Sequence, residues 1–319
     1  MKPIVVSCRL RPPRSPEPRQ DHAIRTLRII HETRYVYDRP VTFGEHRLMI
    51  RPRDGHDMRI LDSSLTVSPQ ADIHWAFDTF GNSVAFLSFL APAEELLIKS
   101  ELLLRRYGLD EPVSRFSRFA GDYPVVYDPD EQIDLAPYMV PEHAQEQAAL
   151  AAWIAEMMQE MPTTSMEVLA RLASTIHKAF HYNSRDAEGV QSPAETIALG
   201  SGTCRDFALF FMDAVRSLGF ASRFVTGYLH DEAAANPDQD MTGGGATHAW
   251  ADVFVPGAGW IEFDPTNRII ASRNLVRVAT TRRPSQAMPV SGSFADDGGD
   301  LVAMHVDVTV MEEQETSTD

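Results

Sequence analysis

The run Gly200-Ser201-Gly202-Thr203-Cys204-Arg205-Asp206-Phe207 puts a thiol where a glycine-loosened loop passes into a helix. Phe207, Phe211, Ala214 or Val215, and Leu218 repeat at helical spacing, and the same stripe extended backward passes through Cys204. The thiol is therefore expected to face the interior from the first turn, where backbone N–H groups have no partner within the helix. Those groups and the helix dipole favour a thiolate, the nucleophilic form, and can also donate to an oxyanion during acyl transfer. The alternative is a small cysteine packed as a hydrophobe. The helix-start position and the Gly-x-Gly spacing, which lets backbone approach a ligand, favour the nucleophile.

Free cysteine is only a few per cent ionised at neutral pH, so a nucleophilic thiol needs a base beside it. Of the eleven histidines, His248 is the leading candidate. It opens the strand His248-Ala249-Trp250-Ala251-Asp252-Val253-Phe254-Val255, after a loop over 231–247 rich in Gly, Asp and Ala. A turn around Pro256-Gly257-Ala258 leads into Trp260-Ile261-Glu262-Phe263-Asp264-Pro265-Thr266. His248 and Asp264 have the same parity, and whether they face each other depends on the loop. A loop over 254–258 sets them opposite each other, whereas a turn over 257–259 sets Asp264 opposite Asp252. A carboxylate beside His248 can accept the imidazole N–H and fix its tautomer, the third role in a triad. His248 could instead be an edge histidine that only hydrogen-bonds, and Asp264 a turn residue before Pro265. Cys204, His248 and Asp264 could also hold zinc with one open position. A single cysteine at a helix start fits nucleophilic activation better, and no metal or cofactor is expected.

What positions these residues can be read from the rest of the chain. With 319 residues there is room for about two domains. An apolar share of 44% and a charged share of 23% describe an ordinary globular protein. No run approaches the roughly 18 apolar residues of a membrane helix. The start has only Ile4-Val5-Val6 as an apolar run, which argues against a secretory signal and for a cytoplasmic location. With 29 basic against 45 acidic residues, the net charge of −16 argues against a nucleic-acid surface. The only other cysteine is Cys8, which excludes a disulfide framework and a cysteine-rich zinc site.

Residues 1–22 read as a flexible tail. Over 23–107 short alternating runs, in which Leu27, Ile29, His31 and Thr33 share one face, predict an N-terminal antiparallel β-sandwich domain. Its strands are expected near 27–37, 46–51, 61–68, 73–79, 83–90 and 96–104, the last of which reads equally as a short helix. Residues 108–140, rich in Pro, Gly and Asp, read as a connector. Over 141–290 helical periodicity gives way to strands, an α+β pattern. Ala148, Trp153, Ile154 and Met157 lie near one face of a first helix. Thr164 with Glu167, and Ser192 with Glu195, form capping boxes that open two more. Strands are expected at 222–228, 247–255 and 259–264. Residues 291–319 hold a last strand, with Val306, Val308 and Val310 alternating, and an acidic tail.

Four blocks resemble the bacterial transglutaminase-like superfamily: Gly202-Thr203-Cys204-Arg205-Asp206, Arg223-Phe224-Val225-Thr226-Gly227-Tyr228, Thr247-His248-Ala249-Trp250 and Gly259-Trp260-Ile261-Glu262-Phe263-Asp264-Pro265-Thr266. Residues 27–53 look like the N-terminal β region attached to such cores. The resemblance implies a papain-like fold, helices packed on an antiparallel sheet, with Cys204, His248 and Asp264 as a catalytic triad. It also implies attack on an amide or ester carbonyl to give an acyl-thioester. Water would make the enzyme a cysteine peptidase or amidase, an amine a transglutaminase, and the partner a protein or peptide with an amide or Gln-like group. No nucleic-acid or membrane partner is expected. The competing reading is a non-catalytic peptide-binding or scaffold module that keeps the fold. Trp250 and Trp260 could shape the acyl site or serve as core aromatics. Asn236, Asp238 and Asp240 have the alternate spacing of a calcium loop, but Met241 and Thr247 stand where such a loop needs Gly and Glu. A solvated polar loop is the better reading.

Overall fold

A computed structural model describes residues 24–107, 121–160, 162–185, 189–230, 246–272, 274–295 and 298–313. The first six strands are β1 (Ile24–Val41), β2 (His46–Leu48), β3 (Met58–Ser68), β4 (Ala71–Phe77), β5 (Ser83–Phe89) and β6 (Ala93–Tyr107). Along β1 the predicted face is buried, with Leu27, Ile29, His31 and Thr33 almost inaccessible. In β6, Leu96, Ile98, Ser100, Leu102 and Leu104 are buried in alternation, so period two wins over the helical alternative.

These strands form two antiparallel sheets that share a core containing Tyr37, Leu48, Ile50, Leu87, Leu96 and Ile98. Both sheets are completed from the far end of the chain. The expected last strand, β15 (Leu301–Glu313), pairs with β1 at the edge of the order β15-β1-β6-β3. The short β14 (Val290–Ser291) pairs with β2 in the order β14-β2-β5-β4.

The segment read as a connector holds a helix, α1 (Pro129–Met139). Its proline and aspartates suggested a loop. Instead, Asp128 caps the helix in a reciprocal box with Glu131, and Pro129 sits in the first turn, where its missing N–H costs nothing. Four helices follow: α2 (Gln147–Met157), α3 (Ser165–Ala179), α4 (Pro193–Leu199) and α5 (Cys204–Ser217). In α2 the buried positions are Leu150 and Ile154, while Ala148 and Met157 of the expected stripe are exposed. Thr164 caps α3, and Ser192 forms its box with Glu195 at α4, as their sequences predict.

Between α3 and α4 runs β7 (His181–Tyr182), parallel to β8 (Ser201–Gly202). The remaining strands are β9 (Ser222–Leu229), β10 (His248–Val255), β11 (Gly259–Asp264), β12 (Ile269–Ile270) and β13 (Leu275–Thr281). They form one antiparallel sheet in the order β12-β11-β10-β9-β13. Helix α5 lies between this sheet and the other helices. Nearly every residue from Asp206 to Arg216 is therefore buried, rather than a single stripe.

The β sheets dock on the far side of the core sheet. Leu27, Ile29, Leu102 and Leu104 share a cluster with Tyr228, Val276 and Ala279. Tyr228 Oη donates to the Ile50 carbonyl and accepts from His31 Nδ1 at 3.0 Å, and burial holds His31 neutral by pushing its pKa down to about 4. Asn82 closes two further bonds, at 2.8 and 2.9 Å, with the Thr280 backbone. Among the described residues no helix is long and apolar enough to cross a membrane.

Candidate active site

Cys204 is the first residue of α5, free and only 7% exposed. The turn before it is fixed by Asp206, whose side chain is fully buried. Asp206 Oδ2 accepts from the Thr203 N–H at 2.7 Å and from the Thr203 hydroxyl at 2.9 Å. Its Oδ1 accepts from Arg185 Nη2 and from the Gln191 N–H, each at 2.7 Å. One carboxylate thus ties the helix cap to the segment that precedes α4. Gly202 is dictated by the same closeness, because a Cβ there would stand 2.9 Å from Asp206 Cβ and 3.1 Å from the Phe207 ring.

His248 is the first residue of β10 and Asp264 the last of β11. The pair is fully buried, and His248 Nε2 lies 2.8 Å from Asp264 Oδ2. The hairpin register is neither of the two considered from sequence. Val255 pairs with Gly259 across a three-residue turn, and Ala251 pairs with Phe263. Continued one step, that register sets Asp264 against Trp250, so His248 reaches the carboxylate diagonally on the shared face. Common parity across a turn with an odd number of residues puts the two on one face; direct opposition was not needed.

Asp264 is saturated with donors. Its Oδ1 accepts from the Thr266 N–H at 2.9 Å and the Asn267 N–H at 3.3 Å, and Asn267 Nδ2 donates to Oδ2 at 2.8 Å. Burial works to raise the Asp264 pKa, but His248 and these donors outweigh it and hold the carboxyl below its ordinary range. The carboxylate therefore accepts, and His248 donates through Nε2–H. Burial likewise works to lower the His248 pKa. The charge and hydrogen bond of Asp264 overcome it, Cys204 adds to them, and the imidazole pKa is raised. His248 Nδ1 is buried with no hydrogen-bond partner. The thiol thus lies within electrostatic reach of the ring but outside hydrogen-bonding alignment, which is common before a substrate draws such groups together.

The structure therefore joins His248 and Asp264 directly, with Cys204 beside them at a helix start. Trp250 is wholly buried, its ring 5.9 Å from that of His248. Trp260 lies elsewhere, under Arg223 and against Tyr138 and Phe254. Sequence reasoning missed Asn267 and Asp206. The signal for the second was legible, since Thr203-x-x-Asp206 has the spacing of a helix cap. Cys8, the acidic tail beyond 313, and most of the loop before His248, with Asn236, Asp238, Asp240 and Met241, lie outside the described residues. Among the described residues no group of three or more His, Cys, Asp or Glu side chains converges as a metal cage would.

Two stretches match known families. Residues 27–105 match the bacterial transglutaminase-like N-terminal region, and residues 151–265, which contain Cys204, His248 and Asp264, match the transglutaminase-like superfamily. Residues 151–265 are thus similar to a transglutaminase-like core. Among solved structures, the chain resembles a candidate cysteine protease from Cytophaga hutchinsonii. The TM-score is 0.69 at 20% identity, over 92% of this chain and 93% of that one. The likeness bears out the fold, antiparallel β sheets followed by helices on an antiparallel sheet. An uncharacterized protein of Mycobacterium leprae (strain TN) is 25% identical over 283 residues, 89% of this chain and 98% of that one. An uncharacterized protein of Mycobacterium tuberculosis (strain ATCC 25618 / H37Rv) is 28% identical over 307 residues, covering 89% of this chain and 93% of its own length.

Proposed function

We propose that the protein is a thiol enzyme that attacks a carboxamide or peptide carbonyl through Cys204, with His248 as base and then acid and Asp264 as the orienting carboxylate. The observation that carries the reading is the buried 2.8 Å contact between His248 and Asp264, which leaves Nδ1 as the ring atom available to the thiol. The helix-start position of Cys204 and the cysteine-protease description of the Cytophaga protein also support it.

The chemistry runs in two halves. In the fraction of molecules whose ring is neutral, His248 Nδ1 takes the proton of Cys204, and Asp264 stabilises the imidazolium. The sulfur bonds to the carbonyl carbon, the oxygen takes up the π pair, and the C–N bond breaks as the leaving amine receives the proton from Nδ1. The resulting acyl-thioester is attacked by water or by a second amine, whose proton returns to Nδ1, and collapse expels the Cys204 sulfur. Water gives a peptidase or amidase and an amine gives a transglutaminase. The substrate on this reading is a protein or peptide bearing an amide or Gln-like group.

The test is acylation of the full chain by p-nitrophenyl acetate, followed by peptide mass mapping. Acetyl on Cys204 in the wild type and none in Cys204→Ala, with the melting curve preserved, is the expected result. Equal p-nitrophenol release by Cys204→Ala would sink the assignment and favour a peptide-binding module. A Gln-containing dipeptide, offered with and without a primary amine, then separates hydrolysis from transamidation.

A further inference from the structure

Acyl transfer at Cys204 needs more than one donor for the oxygen that becomes negative, and the first turn of α5 supplies backbone N–H groups only. The polar side chains around the thiol are few. Arg205 is engaged elsewhere, its guanidinium over the Phe224 ring at 5.0 Å and bonded to the Pro284 carbonyl at 2.9 Å. Asp206 is an acceptor committed to the helix cap. Gln191 donates its backbone N–H to Asp206, and its side-chain oxygen accepts from the Thr196 hydroxyl.

Tyr182 remains. It sits in β7 opposite Gly202, two residues before the thiol. Its backbone is pinned on both sides, by His181 N–H to Gly200 O and by Asn183 N–H to Gly202 O, each at 2.9 Å. Opposite a residue with no side chain, the ring stands beside the start of α5. It is 39% exposed, open to an incoming substrate. The hydroxyl makes no hydrogen bond to another described residue. Burial first, and then the nearby charges of Cys204 and Asp206, raise the phenol pKa, so the group stays protonated and able to donate.

We propose that the Tyr182 hydroxyl is the second oxyanion donor, acting with a backbone N–H of the α5 first turn. As Cys204 Sγ bonds to the carbonyl carbon and the π pair moves to oxygen, the Tyr182 O–H and the N–H donate to that oxygen. Tyr182 gives up no proton. When the carbonyl re-forms, the bond to the leaving group breaks and both donors relax to the neutral oxygen. The assignment rests on the proposed acyl-thioester chemistry.

Two reactions of the same thiol separate this role from a structural one. Acetylation by p-nitrophenyl acetate passes through an oxyanion; alkylation by iodoacetamide does not. In the full chain, Tyr182→Phe is expected to slow Cys204 acetylation by about 100-fold, with alkylation and its pH profile within about twofold of wild type. The alkylation arm also reports that the variant is folded and its thiol intact. Unchanged acetylation overturns the assignment, and an equal fall in both reactions overturns it too, by placing Tyr182 in support of the thiol. A wild type that is not acetylated on Cys204 removes the acyl-thioester reading itself, and this assignment with it.

Discussion

Replacing Asp264 with Asn keeps the shape of the buried pair and removes one charge, so the pH dependence of its cost reports whether His248 is ionised. At 2.8 Å the attraction is roughly 6 kcal/mol at an effective dielectric constant of about 20. Each buried ion has lost several kcal/mol of hydration, and removing one partner of such a pair costs about 3–5 kcal/mol. Near pH 6, Asp264→Asn should therefore lower the unfolding free energy by about 3 kcal/mol. The lowered pKa of Asp264 gives a contribution present above the ordinary carboxylate value and lost as pH falls through the folded one. The raised pKa of His248 gives one that is full below roughly pH 6.5 and lost as pH rises through the folded value. In that upper window the native chain holds a proton the unfolded chain has released, so wild type loses about 1.4 kcal/mol per pH unit from this group. The Asn variant lacks that slope. Urea denaturation of both proteins from about pH 6 to about pH 9 checks it, and subtracting the curves cancels groups common to both. Glu262, pushed up to about 7 by burial and then by Asp252, is one of these. The gap between the proteins should be widest near pH 6 and narrow with rising pH. A constant gap would mean a neutral imidazole and refute the ion pair.

The cap that holds the thiol can be tested separately. Asp206→Ala leaves the Thr203, Arg185 and Gln191 donors without their acceptor and should cost about 3–5 kcal/mol in urea denaturation, with slower Cys204 alkylation. A loss under about 1 kcal/mol would show that the network is dispensable. Gly202→Ala forces a Cβ to 2.9 Å from Asp206 Cβ, for a cost of about 1–3 kcal/mol by thermal melting, and displaces the first turn. An unchanged melting curve would show that the turn yields freely.

The site was legible in sequence because each part obeys a local rule. A capped helix start places Cys204, and shared parity places His248 and Asp264 on one face for either a three- or a five-residue turn. The register was not legible, since Pro256-Gly257-Ala258 accepts several turn lengths, and the three-residue turn appears only in the folded pairing. α1 was missed because composition outweighed the Asp128-Pro129-Asp130-Glu131 start signal. The partner of β15 was beyond reach for another reason: alternation at Val306, Val308 and Val310 declares a strand but not which sheet it joins. Asn267 escaped because its task depends on the turn after Asp264 folding back on the carboxylate.

The pairing of β15 with β1 sets a timetable for the nascent chain. β1 and its neighbour β6 are complete by Tyr107, whereas β15 begins at Leu301. At about 5–20 residues per second, the ribosome leaves the outer edge of β1 open for about 10–40 s. For that interval an 18-residue strand offers unpaired N–H and C=O groups to any other chain nearby. Arg25, Arg28, Glu32 and Arg34 interrupt it with charge, which discourages edge-to-edge stacking of half-made copies. Two of them, Arg25 and Arg28, later meet Glu312 and Glu313. Ion pairs that add little to the finished fold thus mark residues whose first service is to keep unfinished polypeptides apart.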